Sequence, residues 1–303
     1  MEKVTIVIPT YNRSGKLLET LDALAVQDTV DFHVIISDDG SSDGTQKAVE
    51  EKKAKLPFTL DYFFHPNGGA SESTNLGVGR AEDGLIILLD DDILPARETI
   101  SKHIRFHRTH PGSILSGSAD TDPERSVTDV QRYKLYMETE WKKIRADTDK
   151  LLRIDFNNFI ITTANMSFQK TVFMKVDGFN IGLRDGYDVD FGFRALLCGI
   201  PIYFDRTVSS IHNDQINLRY YAKRQKAYMD SKRIIFSKYP ELRTKIIADF
   251  DPKVPFYKSF FYGILKLKPA VNFFESKTFA AVFPKALRYR IYGSTIAALT
   301  FTE

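Results

Sequence analysis

A chain of 303 residues, 43% hydrophobic and 27% charged, has the composition of an ordinary globular protein and the length for a substantial core, which excludes a disordered or collagen-like chain. One cysteine, Cys198, excludes an intrachain disulfide and fits a reducing compartment. The net charge of +3 conceals an asymmetry: residues 215–303 carry 17 Lys and Arg against 6 Asp and Glu, or +11, and residues 1–214 carry 25 against 33, or −8. Met1-Glu2-Lys3-Val4 lacks a signal-peptide layout, and no apolar stretch approaches the ~20 residues that span a bilayer, so a cytoplasmic protein is expected.

The chain opens with a β-branched run, Val4–Ile8, closed by Pro9. Ser14 is placed to cap a helix through Ala25, with Leu17, Leu18, Leu21 and Leu24 on one face. Phe32–Ser37 reads as a second strand, Thr45–Lys55 as a helix and Phe58–Phe64 as a third strand. His65-Pro66-Asn67-Gly68-Gly69 is a turn by composition. Ser71–Ala81 follows as a helix and Leu85–Leu89 as a fourth strand. Strands alternating with helices imply a parallel, doubly wound sheet. Further on, Glu98–His110 and Val127–Arg145, which holds the single tryptophan Trp141, read as helices. Asp155–Phe168 is strand-like, Asp188–Cys198 a helix and Ile202–Phe204 a strand. After His212 the chain is helical and basic, then aromatic.

Asp90-Asp91-Asp92 stands at the end of the five-residue apolar run Leu85–Leu89. In an open α/β sheet, ligands bind at the carboxyl ends of strands. In extended chain, residues i and i+2 point the same way, so Asp90 and Asp92 could share one divalent cation, Mn2+ or Mg2+. A solvated turn is the other reading of the same residues. Asp38-Asp39-Gly40-Ser41-Ser42-Asp43-Gly44 likewise ends a strand, and alone it is also ordinary turn chemistry. Asn67-Gly68-Gly69 lets backbone approach a ligand closely, or simply turns the chain. Cys198, near one face of its helix with Phe191 and Ala195, reads as a small buried hydrophobe.

Taken together, Val7-Ile8-Pro9-Thr10-Tyr11-Asn12-Arg13, the 38–45 segment, Asn67-Gly68-Gly69 before a helix bearing Asn75, Leu89-Asp90-Asp91-Asp92, Asn165-Met166-Ser167, Gly178-Phe179 and Asp188-Val189-Asp190 resemble glycosyltransferase family 2, inverting enzymes of the GT-A fold. The resemblance covers roughly residues 3–214. It implies an α/β fold: a Rossmann-like, mostly parallel sheet flanked by helices, with a basic and aromatic helical C-terminal extension. The domains implied are 1–214, split into a nucleotide-binding half (1–95) and an acceptor-binding half (96–214), and a helical region, 215–303. The activity implied is metal-dependent transfer of a sugar, with inversion, from a nucleotide sugar, a UDP-sugar by preference, to a glycan or lipid-linked acceptor.

The resemblance also assigns roles. Pro9, Thr10, Tyr11 and Arg13 line the base, and Asp38 or Asp39 accepts from the uracil N3–H. Asn67 and Gly68 lie by the donor. Asp90 binds ribose and takes part in the metal site, Asp92 ligates the metal, and Asp91, beside the donor, is structural and points to the other side of the strand. His212 stands where a further metal ligand is often found. Asp188 takes the position of the general base, with Asp185 and Asp190 as fallbacks. Two departures stand out: Tyr187 replaces the usual Glu before that Asp, and Thr74 replaces an arginine often found before the position of Asn75.

Two rivals remain at this level. A sugar-phosphate nucleotidyltransferase would have a glycine-rich phosphate loop after the first strand, where this chain has Pro9–Arg13. A non-catalytic sugar-nucleotide-binding or assembly protein is suggested by Tyr187 and Thr74, and opposed by Asp90, Asp92 and Asp188. Residues 251–303 hold twelve aromatic residues and eight Lys and Arg, a mixture that fits the inner face of a membrane, and equally a homodimer interface. Nucleic acid is not expected as a partner, because no binding motif accompanies the charge.

Overall fold

The structure, a computed structural model, describes residues 3–144, 151–214, 216–240 and 256–301. Arg145, Gln215, residues 241–255 and the side chain of Trp141 lie outside the described residues. By internal contacts the chain divides into two units: Met1–Asp120 with Asp147–Asn213, and Thr121–Ala146 with Asp214–Glu303.

The first unit is built on one sheet. Strands β1 (Val4–Thr10), β2 (His33–Asp38), β3 (Thr59–Phe64) and β4 (Leu85–Leu89) run parallel in the spatial order β3-β2-β1-β4. Helices α1 (Ser14–Ala25), α2 (Thr45–Lys53) and α3 (Ala70–Arg80) make the crossovers. The chain leaves β1 toward β2 and β3, then returns to the other side of β1 as β4, so the strand order reverses at β1. Such a switch point opens a crevice at the carboxyl ends of the strands.

Every residue of β4 is buried. Ile86 and Leu88 join a core with Val7, Val78, Met166 and Phe168, and Leu85, Ile87 and Leu89 join another with Ile6, Ile8, Leu17 and Leu21. The alternation sends neighbours to opposite faces, and helices cover both faces, which is why this strand is apolar throughout.

Beyond β4 the sheet turns antiparallel. β8 (Asn165–Gln169) pairs with β4, Leu89 opposite Asn165, and β6 (Ile114–Thr121) pairs with β8. β5 (Ile93–Pro95) and β7 (Leu152–Ile154) both pair with β9 (Ile202–His212). Helices α4 (Thr99–Thr109), α6 (Lys170–Lys175) and α7 (Tyr187–Leu197) complete this unit.

Several local expectations are corrected. Ser14 is not the cap of α1: it is the first helical residue, Arg13 holds the cap position without a side-chain bond, and Ser14 N donates to Asp43 Oδ2 at 3.0 Å. Asp155–Phe168 is not one strand; Asp155 Oδ1 accepts from the backbone of Asn157 and Asn158 at 2.7 and 3.1 Å, a local turn that competes with pairing, and the strand begins at Asn165. Ile202–Phe204 extends to His212. Cys198 is exposed, because α7 ends at Leu197 and leaves it beyond the face that buries Phe191 and Ala195.

The second unit is helical: α5 (Asp129–Ile144), α8 (Leu218–Lys238), α9 (Phe256–Leu265), α10 (Lys268–Phe274), α11 (Lys277–Val282) and α12 (Lys285–Phe301). Val130, Tyr133, Leu218, Val271, Phe279 and Tyr292 form its core. Asp129 ties α5 to α12: Arg288 donates through Nη2 at 3.1 Å to Oδ1, and Tyr292 Oη donates to Oδ2 at 2.8 Å. Among the described residues no helix is long and apolar enough to cross a membrane.

Candidate active site

The site lies in the first unit, where β1, β2 and β4 end. Thr10 and Asp38 are opposite one another in the β1–β2 register, and Asp90 follows β4 at once. The sequence-predicted donor residues are drawn together here by a network of their own. Thr10 Oγ1 donates to Asp91 Oδ2 at 2.8 Å. Arg13 Nη1 reaches Asp91 Oδ1 at 3.1 Å and Asp92 Oδ2 at 3.0 Å. Thr20 Oγ1 donates to the carbonyl of Asp91 at 2.9 Å.

The acid triplet is not extended chain. Ile93 N donates to the carbonyl of Asp90 at 3.2 Å, closing a turn between β4 and β5. The alternation that would set Asp90 beside Asp92 does not apply. Arg13 sets Asp91 and Asp92 side by side instead, while Asp90 is half-buried at the strand end. Burial pushes the Asp91 carboxyl up to about 6, against the pull of Arg13.

The two strand-end acids of β2 have separate tasks. Asp38 Oδ1 accepts from Ser41 N at 2.7 Å, and Oδ2 from the Tyr62 hydroxyl. Burial, then that bond, raises the Tyr62 pKa well above its ordinary value. Asp39 holds the glycine turn: Gly68 N reaches Oδ1 at 2.7 Å, Gly69 N reaches Oδ2 at 3.0 Å, and Asn67 Nδ2 reaches its carbonyl at 2.9 Å. A Cβ on Gly40 would stand 3.1 Å from Asn67 N, and Gly40 has φ +87°, so the two loops pass only because that position is glycine. Asn12, itself at φ 52°, straps the 11–14 loop to this one through Ser41 Oγ (2.8 Å) and Ser42 N (2.7 Å). Tyr11 is left half in solvent.

Asp92 and His212 meet through the β5–β9 pairing, which puts Ile93 opposite His212. His212 Nε2 lies 3.3 Å from Asp92 Oδ1, and Asn213 N donates to the Asp92 carbonyl at 2.8 Å. Two atoms that share one octahedral ion at ~2.1 Å stand about 3 Å apart, so a carboxylate oxygen and an imidazole nitrogen at this spacing fit as neighbouring ligands of Mn2+ or Mg2+. No group of three or more His, Cys, Asp or Glu suited to a metal occurs among the described residues. Two protein ligands with substrate phosphate and water completing the shell is a common arrangement for such hard ions.

Asp188 sits in the first turn of α7, half-buried, after Gly186 at φ 66°. Its Oδ1 accepts from Val189 N at 2.8 Å. Asp190 is fully buried; its Oδ2 accepts from Arg194 Nε at 2.7 Å, its Oδ1 is buried without a partner among the described residues, and Arg194 also donates to the carbonyls of Val176 and Gly178. It therefore cannot serve as a base open to substrate. Tyr187 packs its ring on Phe179, with centroids 5.3 Å apart. Burial first, then the Asp90 carboxylate and, more weakly, Asp188 and Asp185, raise its pKa well above the ordinary value, so the hydroxyl stays protonated among these acids. Thr74 bonds back to the Ala70 carbonyl at 2.7 Å and is buried, so it replaces no donor contact.

A buried network behind the site was not foreseen. Asn165 Nδ2 donates to the carbonyls of Ser118 and Val208 at 3.0 and 2.9 Å, which leaves its Oδ1 facing His103 Nε2 at 2.8 Å. Ser167 Oγ lies 2.7 Å from both His103 Nδ1 and His107 Nε2. One assignment accounts for all three bonds: His103 donates to Asn165, Ser167 donates to His103, and His107 donates to Ser167, which leaves His107 Nδ1 as a buried acceptor without a partner among the described residues. The signal available was the four-residue spacing of His103 and His107 with the alternation of Asn165 and Ser167.

A parallel half-sheet that gathers acids at its strand ends, an antiparallel extension and an acid at the start of a following helix define the GT-A class of fold. The chain belongs to glycosyl transferase family 2, whose model matches residues 5–177. It is 27% identical over 227 residues to validoxylamine A glucosyltransferase of Streptomyces hygroscopicus subsp. jinggangensis, covering 67% of this chain and 53% of that one. It is 30% identical over 117 residues to the poly(ribitol-phosphate) beta-N-acetylglucosaminyltransferase TarS of Staphylococcus aureus, covering 38% of this chain and 20% of that one. The chain thus spans about half of the first relative's length and a fifth of the second's. Among solved structures, mannosyltransferase PcManGT from Pyrobaculum calidifontis, in complex with GDP-Man and Mn2+, superposes with a TM-score of 0.63 at 17% identity, over 98% of this chain and 86% of that one. TarS residues 1–349 in complex with UDP-GlcNAc superpose at 0.54 and 17% identity, over 98% and 89%.

Proposed function

We propose that this chain is a metal-dependent inverting glycosyltransferase that moves a sugar from a nucleotide sugar, a UDP-sugar by preference, to a hydroxyl of a glycan or lipid-linked acceptor. The observation that carries the proposal is the Asp92–His212 pair, 3.3 Å apart at the strand-end crevice that also gathers Thr10, Arg13, Asp38 and Asp39. A UDP-sugar is favoured because the TarS neighbour binds UDP-GlcNAc on this fold; the PcManGT complex with GDP-Man makes the guanine nucleotide the alternative to test.

Asp38 or Asp39, with Tyr11 and Pro9 lining the base, accepts from it by exchanging one of its present donors, the Tyr62 hydroxyl at Asp38 or a glycine-turn N–H at Asp39. Arg13 and the Asn67–Gly68 backbone face the donor, and Asp90 takes the ribose. A divalent ion held by Asp92 and His212 would supply Lewis-acid charge at the departing diphosphate. Asp188 accepts the proton as the acceptor oxygen forms its bond to the anomeric carbon. The bond from that carbon to the diphosphate breaks as the new one forms, and configuration inverts.

Tyr187 sets what this site accepts. A Glu there could only accept hydrogen bonds once ionised, whereas the protonated Tyr187 hydroxyl can also donate. Tyr187→Phe is expected to raise the acceptor KM about five- to tenfold, the worth of one hydrogen bond, with donor hydrolysis unchanged. Equal loss of transfer and hydrolysis would move Tyr187 from acceptor recognition to general site support.

The second reading, a binding protein without turnover, is favoured by Tyr187 and by Thr74, whose hydroxyl is spent on its own helix. Calorimetry with UDP and GDP, with and without Mn2+, followed by donor hydrolysis, separates the two. Metal-dependent UDP binding with release of UDP from a UDP-sugar is expected. Asp92→Asn should weaken the Mn2+ dependence at least tenfold; because it also weakens the pair that buried Asp92 makes with Arg13, a lower thermal midpoint without metal is expected alongside. Binding without hydrolysis across a panel of nucleotide sugars would favour the second reading.

A further inference from the structure

The helices of the second unit carry an apolar face that this unit does not cover. α9 and the turn after it expose Phe260 (76%), Phe261 (67%), Ile264 (46%) and Leu267 (53%). Positions 260 and 264 share one helical face, 261 lies beside them, and Leu267 follows in the turn after the helix. Tyr262 and Leu265, on the other side of α9, are half-buried, and α9 packs on α12. The exposed residues are therefore a second apolar face, not the packing face left open. Scattered exposed hydrophobics are normal, whereas two phenylalanines beside two aliphatics mark a contact surface.

Charge identifies what covers it. Residues 256–301 contain seven Lys and Arg and a single acid, Glu275, whose carboxylate accepts from Leu218 N at 2.6 Å. Lys266 and Lys268 flank Leu267 within the apolar stretch itself. Lysines interleaved with aromatic side chains match a lipid interface: rings enter the boundary of headgroups and acyl chains, while the ammonium groups reach lipid phosphates. A second copy of this chain matches poorly. A two-fold contact pairs the patch with itself, so it would gather Lys266 and Lys268 of both copies with no acid in the patch to offset them.

We propose that Phe260, Phe261, Ile264 and Leu267, flanked by Lys266 and Lys268, form a docking surface for an anionic lipid bilayer. The helix lies in the interface without crossing it, in keeping with the absence of a spanning helix among the described residues. The surface stands independently of the transfer chemistry.

Flotation of the full chain with vesicles of phosphatidylcholine, alone or with a third phosphatidylglycerol, tests this. The wild type is expected to bind the anionic vesicles at least tenfold more tightly than the neutral ones, less so in high salt. Phe260→Ser with Phe261→Ser should lower the partition roughly 100-fold. Lys266→Glu with Lys268→Glu should lower it roughly thirtyfold or more on anionic vesicles alone. Both double variants change exposed or half-buried positions, so the thermal midpoint should hold. Equal wild-type binding to both vesicle types, or none to either, would overturn the proposal. So would a concentration-dependent dimer, seen by sedimentation equilibrium, that the phenylalanine variant abolishes while vesicle binding persists.

Discussion

Asp188→Asn should lower the rate of sugar transfer by roughly 10²- to 10⁴-fold, the range a positioned general base supplies, and leave UDP affinity within about twofold. The separation follows from geometry. Asp188 sits in the first turn of α7, and its Oδ1 accepts from Val189 N at 2.8 Å. A carboxamide keeps that oxygen, so the start of the helix is retained and only the proton acceptor is lost. The proposed donor contacts come from the ends of β1, β2 and β4, which the substitution does not touch. Asp190→Asn should behave differently: it weakens the fully buried ion pair with Arg194, 2.7 Å away, and should show first as lost stability. Initial rates with donor and acceptor, alongside calorimetry with UDP, check both. Full activity in Asp188→Asn would remove this residue from the base role.

The second large effect is on stability against acid. His103 and His107 are buried, and burial pulls their pKa values down to about 4 and about 3. For His107 the neighbouring His103 adds to the lowering. In the unfolded chain both return to about 6.5. The unfolded state therefore takes up protons that the folded state refuses. The stability these groups contribute is complete above about pH 6.5 and is lost as pH falls toward 4 and below. Each histidine alone changes the folding equilibrium about tenfold per pH unit in that window. Asp91, pushed up to about 6 by burial, acts in the opposite sense between about 4 and 6, so it offsets one histidine there. A net loss of about tenfold per unit is expected between pH 6 and 5. His107→Gln should remove it, since the amide N–H can still donate to Ser167 while nothing titrates. Urea unfolding at pH 7, 6 and 5 for both proteins makes the comparison; parallel pH profiles would refute the role given to His107.

These predictions differ in how far they were visible in the sequence. Asp188 could be proposed from the sequence, because the resemblance depends on short motifs in fixed order. β1, β2, β4 and α1 were visible, since each carries a local apolar period that burial on one or both faces enforces. β6 was not. No element is read from the sequence between His110 and Val127, because Ser116-Gly117-Ser118 interrupts any apolar pattern, yet Ser116 and Ser118 are buried. A Cβ on Gly117 would meet Val208 O at 2.3 Å and Asn165 Nδ2 at 2.4 Å, so this strand is specified by close approach to distant neighbours and not by hydrophobic pattern. The histidine network was hidden for the same reason: His103 and Ser167 are 64 positions apart.

The sequence by itself determined the family, the alternation of strands and helices in the first half, and the acids at the strand ends, because periodicity and turn chemistry act over a few residues. Only the tertiary structure decided what those acids do. It closed Asp90–Asp92 into a turn, put Arg13 across Asp91 and Asp92, gave Asp39 to the glycine turn and Asp190 to Arg194, and brought His212 to Asp92 through the β5–β9 pairing. It also grouped Thr121–Ala146 with the C-terminal helices. Apart from the Asp90–Asp92 turn and the Asp190–Arg194 pair, which are local, these rest on partners far apart in the chain, and a carboxylate's role follows from the donors around it, which sequence spacing does not record.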